Sequence, residues 1–535
     1  MSSQETLVPD LLEWCTVNGI WIDPRLQIRF AEEVSHEDED AAPKGLSVFS
    51  GDGYILPSTT LVKIPRDSVL SVRTCSIKDN IPFVPYGLGA QLALSFALYV
   101  EILKGKRSRW HGYIQSFPDG IVDLPVFWGL SLNEGATDAD GARVPDTDDG
   151  NEALTWLRGT EAGSALQELT GNDSNRLKEI KDYFEHIVDP FLLEHGGAWN
   201  RDHSDSIPCL EGFYRAVSLV SSRAFLVDAY HGLSMVPIAD VFNHVVDNHV
   251  HLASDFNVCP QCGSLYECSH DREDVSALVE GSLFDDSNDQ YFEMTTNAPI
   301  PALHEIYNTY GETLTNAQLL NHYGFILDVN ENDRLRWSPD TVMDVLLLND
   351  SSSRRTLVVT IWYTFSSVST SIGHSDLLFE DSLEEPPVCL NDEGMISIRM
   401  WTLLIVIAVL SNPKESIPLQ GLSRDVLAKL MGVQKLLEAI TSEEADRDDL
   451  PALRDNSEHV RILLDVAQFV VDLMVTRKAL SGKTGSSQVD LCHLLEGIPL
   501  HMRRTRLAVS NLMAERSIID ACCARWATLM EVTLP

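Results

Sequence analysis

The stretch "MVPIADVFNHVVDNHVHL", Met235 to Leu252, crowds Asp240, Asn243, Asn248 and the histidines His244, His249 and His251 beside an apolar run. Histidines at that density suit metal ligation, whereas an isolated Asn-His pair more often serves as a turn or cap. Further along, "NTYG" presents Tyr310, which taken alone is more often a strand-end core residue than a catalyst. Between the two, "CPQCGSLYECSH" supplies Cys259, Cys262, Cys268 and His270 as C-x2-C-x5-C-x-H. Soft ligands in that number suit a tetrahedral structural zinc, with no open position left for catalysis. Free reduced thiols explain the same residues equally well. His249 and His251 are expected at the surface rather than as ligands, and Asp240 is expected to fix local structure.

The elements that must position these groups follow from periodicity. Residues 7–30 read as a helix, a turn and a strand. The stretch 45–71 alternates apolar and small residues with turn signals, as short strands do. From about Leu88 the period becomes helical, with Leu92, Phe96, Tyr99, Val100 and Leu103 on one face. Residues 131–152 are acidic and Gly-rich, which predicts a mobile loop; "EEVSHEDED" before them is a second solvated loop. Helical period resumes over Leu154–His195. Strand-like runs return from Phe213 and persist to about Asp328, and helices follow. There Val460, Leu463, Leu464, Ala467, Val470, Val471 and Met474 form one stripe. No internal repeat is present. The fold class is α+β, with segments 1–87, 88–212, 213–336 and 337–535.

Taken together, "SRAF" (Ser222–Phe225), "PIADVFNH", "YNTYG" and "LLNHYGF" resemble, in order and spacing, the SET-domain protein methyltransferases. The resemblance is to the class with a split SET domain and a helical C-terminal substrate-binding domain. That class includes Rubisco large-subunit methyltransferase and fungal ribosomal lysine methyltransferases. It is strong over Leu46–Pro65 and Phe213–Asp328, weaker over the insertion, and architectural beyond about Trp337. The resemblance implies a pseudoknot in which the Asn-His strand and the Tyr segment pass each other to form an S-adenosyl-L-methionine pocket. It implies that Asn243 and His244 hold the cofactor, that Arg223 lies near its carboxylate, and that Gly45-Leu46-Ser47 stands at the close-approach turn. Ser47 departs from the second glycine of that turn. Tyr310 takes the place of the catalytic tyrosine, and Tyr323 and Phe325 line the pocket. Tyr307 and Phe225 are expected along the substrate channel.

The chain has 535 residues, 44% hydrophobic and 22% charged, as ordinary globular proteins do. Its net charge of −39 opposes nucleic-acid binding and favours basic partners, although acidity also simply keeps proteins soluble. The expected activity is protein-lysine N-methyltransferase on a Lys-rich, non-histone protein such as a ribosomal one. Two alternatives stay open: a protein-histidine methyltransferase of the same architecture, and an inactive SET module that binds partners. The apolar window Met400–Leu410 is half a membrane span. Ten unevenly spaced cysteines do not resemble a secreted disulfide framework. A monomer in the reducing cytoplasm or nucleus, without membrane or nucleic-acid partner, is the expectation.

Overall fold

The computed structural model describes residues 4–30, 45–130, 146–167, 176–195, 208–254, 257–270, 291–347, 352–365, 375, 377–380, 388–411, 419–441, 457–483 and 487–533. The chain forms two compact units. The first comprises Met1–Phe127, Leu169–Glu312 and His322–Gly324; the second comprises Trp128–Glu168, Thr313–Asn321 and Phe325–Pro535. These units cut across the four consecutive segments expected from the sequence, because residues 128–168 and 313–321 join the second.

Among the described residues, nine short strands build the first unit: β1 (Trp21–Ile22), β2 (Leu26–Phe30), β3 (Leu46–Ser50), β4 (Thr60–Pro65), β5 (Leu70–Ser71), β6 (Ala224–Leu226), β7 (Leu233–Met235), β8 (Val250–Ala253) and β9 (Tyr291–Thr296). They pair as a four-stranded sheet β1-β4-β9-β8, a ribbon β2-β3 and a three-stranded sheet β5-β7-β6. Alternation decides which face is inside: Phe292, Met294 and Thr296 of β9 are buried, their neighbours less so. The sheets are thus completed by strands from both sides of the helical insertion.

The insertion's first helix, Gly87–Lys104, buries the expected Leu92, Phe96, Tyr99, Val100 and Leu103, but every other residue from Leu92 to Glu101 is buried as well, so the helix is enclosed on all sides rather than on one face. It is long and apolar enough for a membrane span, but 67% of that window is buried inside the protein. The run from Phe213 is not a strand, as its β-branched residues suggested. Leu210–Arg223 is a helix, and Phe213, Ala216, Val217 and Val220 bury one face at a period of three and four. Gly212 lets this helix approach its neighbour, since a Cβ there would lie 2.9 Å from the Tyr99 ring.

Helices dominate the second unit, to which the structure adds a sheet absent from the sequence expectation. Its strands β10 (Arg334–Trp337), β11 (Leu378–Phe379), β12 (Val388–Asn391) and β13 (Ile396–Ser397) take the order β10-β12-β13-β11. At its centre Ile398–Leu410 buries every residue except Arg399. Ser457–Leu480 is helical as predicted, but its buried stripe is rotated: Ile462, Val466 and Leu473 join Leu463, Ala467, Val470 and Met474. The end of the expected acidic loop is helical too, in Asp146–Leu157. The reason is tertiary: the Asp149 carboxylate accepts the Arg504 and Thr505 N–H groups at 3.1 and 2.9 Å, at the start of the Arg503–Thr533 helix. Residues 131–145 and the "EEVSHEDED" loop lie outside the described residues.

Candidate active site

The segment His304–Tyr310 runs between two other pieces of the first unit. On one side it meets β3, where Ile306 N–H donates to Val48 O at 2.8 Å and Ser50 N–H to His304 O at 2.9 Å. On the other it meets the Asn-His strand. Asn308 N–H donates to Asn243 O at 2.8 Å, and Val245 N–H returns a bond to Asn308 O at 3.1 Å. Further on, His249 and Val250 N–H groups both donate to Tyr307 O, at 2.8 and 3.1 Å. Two stretches far apart in sequence are thereby held in register by backbone hydrogen bonds.

Side chains lock the crossing. Asn243 Nδ2 donates to Ser47 Oγ at 2.8 Å and to Glu305 Oε1 at 2.6 Å. Tyr307 hydroxyl donates to the other Glu305 oxygen at 2.9 Å. Ser47 is therefore more than a tolerated substitute for glycine, because its fully buried hydroxyl receives the Asn243 amide. His244 Nδ1 accepts Tyr310 N–H at 3.1 Å, and His249 Nδ1 accepts Tyr307 N–H at 3.1 Å. An accepting Nδ1 means a neutral ring protonated on Nε2. Burial holds both imidazoles below their ordinary pKa, in agreement with that tautomer. His249 is thus half-buried and structural, where the sequence suggested exposure; His251 is exposed.

Tyr310 lies between two rings, 5.2 Å from His244 and 4.5 Å from Tyr323, both at 29°. Burial pushes its hydroxyl up to about 12 although the Arg223 cation pulls the other way, so the phenol stays neutral at ordinary pH. Burial likewise takes Tyr323 to about 12, and Tyr307 to about 12 with help from Glu305.

Arg223 ends the Leu210–Arg223 helix and reaches Asp240. Its Nη1 donates to Asp240 O at 3.1 Å and lies 3.5 Å from the carboxylate. Asp240 also receives the Tyr113 hydroxyl at 3.0 Å. Burial lifts its carboxyl to about 6, with Arg223 and Tyr113 limiting the rise. Asp240 therefore positions Arg223, and just before it Ile238 holds a φ of 69°, a strained value for a β-branched residue. Arg223 Nε is buried and meets no hydrogen-bond partner among the described residues. A Cβ on Gly45 would lie 4.0 Å from Arg223 Nη2, so the glycine-bearing strand entry faces the guanidinium. An anionic group such as an amino-acid carboxylate fits this corner: a planar cation with an unused N–H beside backbone that carries no side chain.

Of the residues singled out from sequence, Ser47, Asn243, His244, Tyr307, Tyr310 and Tyr323 meet in one network. Gly45 and Arg223 form the adjoining corner. Leu46 pairs with Phe30 at the start of β3, Phe225 pairs with Ser234 between β6 and β7, and Phe325 belongs to the second unit. Sequence reasoning missed Glu305 and Tyr113. Glu305 had a faint signal, a lone carboxylate in the aromatic stretch before Tyr310. Tyr113 had none, since it arrives from the helical insertion.

The cysteine cluster lies in the same unit. Ligand atoms of Cys259, Cys262, Cys268 and His270 all fall within 4.8 Å of one another. Gln261 and Cys262 N–H groups donate to the Cys259 sulfur and bring its thiol down to about 7.

No protein-family model matches the chain. It is 25% identical to ribosomal lysine N-methyltransferase 3 of Saccharomyces cerevisiae over 362 residues, which is 55% of this chain and 59% of that protein. It is also 25% identical to the N-lysine methyltransferase SETD6 of Rattus norvegicus over 330 residues, 59% of this chain and 54% of that protein. The chain thus spans somewhat over half the length of these relatives. Among solved structures, the SET domain of LSMT bound to lysine and AdoHcy superposes with a TM-score of 0.59 at 15% identity, covering 99% of this chain and 93% of that one. Rubisco LSMT bound to sinefungin and monomethyllysine superposes with a TM-score of 0.58 at 15% identity over the same shares.

Proposed function

We propose that this chain, which has the fold of the SET-domain, Rubisco large-subunit methyltransferase-like class, is an S-adenosyl-L-methionine-dependent protein-lysine N-methyltransferase. The observation that carries the reading is Tyr310, held between His244 and Tyr323 where the segment 304–310 crosses the Asn-His strand. The names of the relatives support the same reaction class.

The cofactor, when bound, supplies an electrophilic methyl group on a sulfonium. This chain's task is to orient an amine and keep it unprotonated. A free lysine titrates at about 10.4, so almost none is neutral at pH 7. A dry aromatic wall disfavours the ammonium and lowers that value, which removes the need for a strong base. Tyr310 has a buried, neutral hydroxyl that can orient the acceptor without taking its proton. Arg223, with its unpartnered Nε, is assigned the cofactor carboxylate. Asn243 acts chiefly by clamping Ser47 to Glu305 through its amide nitrogen, which leaves its side-chain oxygen for the cofactor.

The substrate we infer is a Lys-rich protein, of the ribosomal class. The net charge of −39 favours a basic partner, and one relative is named for a ribosomal substrate. Among the described residues no disulfide joins any of the ten cysteines, which suits a reducing cytoplasm or nucleus. The test is transfer of labelled methyl groups into a proteome extract, with wild type and Tyr310→Phe in parallel. Label should enter one or a few basic proteins at lysine and fall roughly 10²-fold in the variant. Calorimetry with S-adenosylmethionine should show both forms binding. Equal labelling would remove Tyr310 from the mechanism, label on histidine would change the acceptor, and absence of cofactor binding by folded protein would leave only a binding module.

A further inference from the structure

We propose that Cys259, Cys262, Cys268 and His270 bind one zinc ion, which staples the chain after β8 to the body of the first unit. The methyl-transfer reading has no use for these residues, and the proposal stands independently of it.

Geometry carries the inference. A tetrahedral zinc holds sulfur at about 2.3 Å and imidazole nitrogen at about 2.05 Å, so sulfur and nitrogen ligands sit about 3.6 Å apart. His270 Nδ1 lies 3.5 Å from Cys268 Sγ and 3.7 Å from Cys259 Sγ. All four ligand atoms, Cys262 included, fall within 4.8 Å of one another. Ordinary hydrogen bonding among reduced thiols does not require four such groups to converge on one point.

The backbone is shaped for the task as well. Cys259 N–H donates to Ser264 O and Gly263 N–H to Cys259 O, each at 2.8 Å, closing a tight turn between the paired cysteines. Gly263 takes a φ of +75°, and a Cβ there would lie 3.0 Å from the Tyr230 ring, so only glycine meets both demands. Gln261 and Cys262 N–H groups point at the Cys259 sulfur, so the turn wraps round that ligand atom. Arg73 then ties the turn down: its Nη2 donates to Pro260 O at 3.4 Å, and its guanidinium stacks over Phe83 at 4.4 Å and Tyr230 at 5.4 Å. Tyr230 packs against His231, which packs against Phe292 of β9. The metal would thus anchor the departing chain to the sheet that carries β8.

Protein purified with a thiol reductant should contain one equivalent of zinc by plasma mass spectrometry. Cobalt(II) replacing it should give the intense visible bands of a tetrahedral ion and thiolate-to-metal absorption in the near ultraviolet. Cys262→Ser, at an exposed ligand, should lower zinc retention against a chelator at least tenfold. Should Cys262→Ser fail to fold, the wild-type cobalt spectrum and a count of reactive thiols decide. The count should rise by three when a chelator is added under native conditions. Zinc far below one equivalent, octahedral cobalt, a disulfide among the three cysteines, or unchanged thiol reactivity on chelation would each overturn the proposal.

Discussion

In the second unit, the Ile398–Leu410 helix is enclosed by carbon. Its Trp401 lies 6.2 Å from Trp526, and Leu403, Leu404, Ile405 and Ile407 are wholly buried. In the first unit, the corresponding place is taken by a crossing joined through Asn243, Ser47, Glu305, His244 and Tyr307, most of them polar. The two solve different problems. Apolar packing is non-directional and rewards volume, so it stabilises without fixing any one atom closely. A hydrogen-bonded crossing is satisfied in one arrangement only, and it places a phenol and a guanidinium at set positions at the cost of desolvating polar groups. Chemistry is expected where the second kind of core is found.

The contrast predicts that the largest loss of stability comes from the unit that holds none of the crossing's residues. Trp401→Ala opens a large void in a core that cannot collapse around it, and should cost about 3–5 kcal/mol. Among the described residues the Trp401 indole N–H meets no hydrogen-bond partner, so Trp401→Phe should cost much less. Urea denaturation of both variants checks this. A cost below about 1 kcal/mol for the alanine would mean that the core is loosely packed and the comparison misdrawn.

Among the polar residues buried in the second unit, Glu515 has a pH signature. Glu515 is buried beside Glu161, whose N–H it accepts at 2.8 Å, and it also accepts Asn511 Nδ2 at 3.2 Å. Burial first, then the neighbouring Glu161 carboxylate, raise it from 4.5 to about 8. The folded state therefore holds this proton more tightly than the unfolded chain does. Its contribution is fully present below about 4.5 and is lost as pH rises towards about 8. Glu515→Gln keeps the shape without the charge. It should flatten the decline in stability between pH 5 and pH 8, with a net gain of about 1 kcal/mol at the alkaline end. Melting curves across that range test it; parallel slopes for the two proteins would show that Glu515 ionises freely in the native state.

How much of this was legible in sequence follows the same division. Tyr310, Asn243, His244 and Arg223 were found because their motifs keep fixed neighbours. Periodicity marked Gly87–Lys104 as a helix, but not that it is buried on all sides. It failed at Phe213, where β-branched residues disguised a helix whose period was nonetheless three and four. It failed again at Asp146–Leu157, whose helix is joined through Asp149 to a partner some 355 residues away, as the bond from Arg504 records. Glu305 and Tyr113 escaped because a hydrogen-bond partner supplied from afar leaves no local pattern. The small sheet β10–β13 was missed for a related reason, since strands of two to four residues are too short to display a period.

The finest distinction concerns Ser47, where this chain departs from the glycine of the resembling turn. If the crossing is a directional lock, its hydroxyl is a working part of it, since among the described residues Asn243 Nδ2 donates to that oxygen and to Glu305. Ser47→Ala should then cost about 1 kcal/mol, the usual net value of a hydrogen bond whose partner stays half-satisfied. Ser47→Gly should cost a further 0.5–1 kcal/mol or so from added backbone freedom in a strand. Both should weaken S-adenosylmethionine binding by a few-fold, because Asn243 becomes free to turn. Thermal melts and calorimetry on the pair separate the hydroxyl from the backbone. An alanine variant as stable and as tightly binding as wild type would mean that Glu305 alone fixes Asn243, and that the serine merely fits where glycine once sufficed.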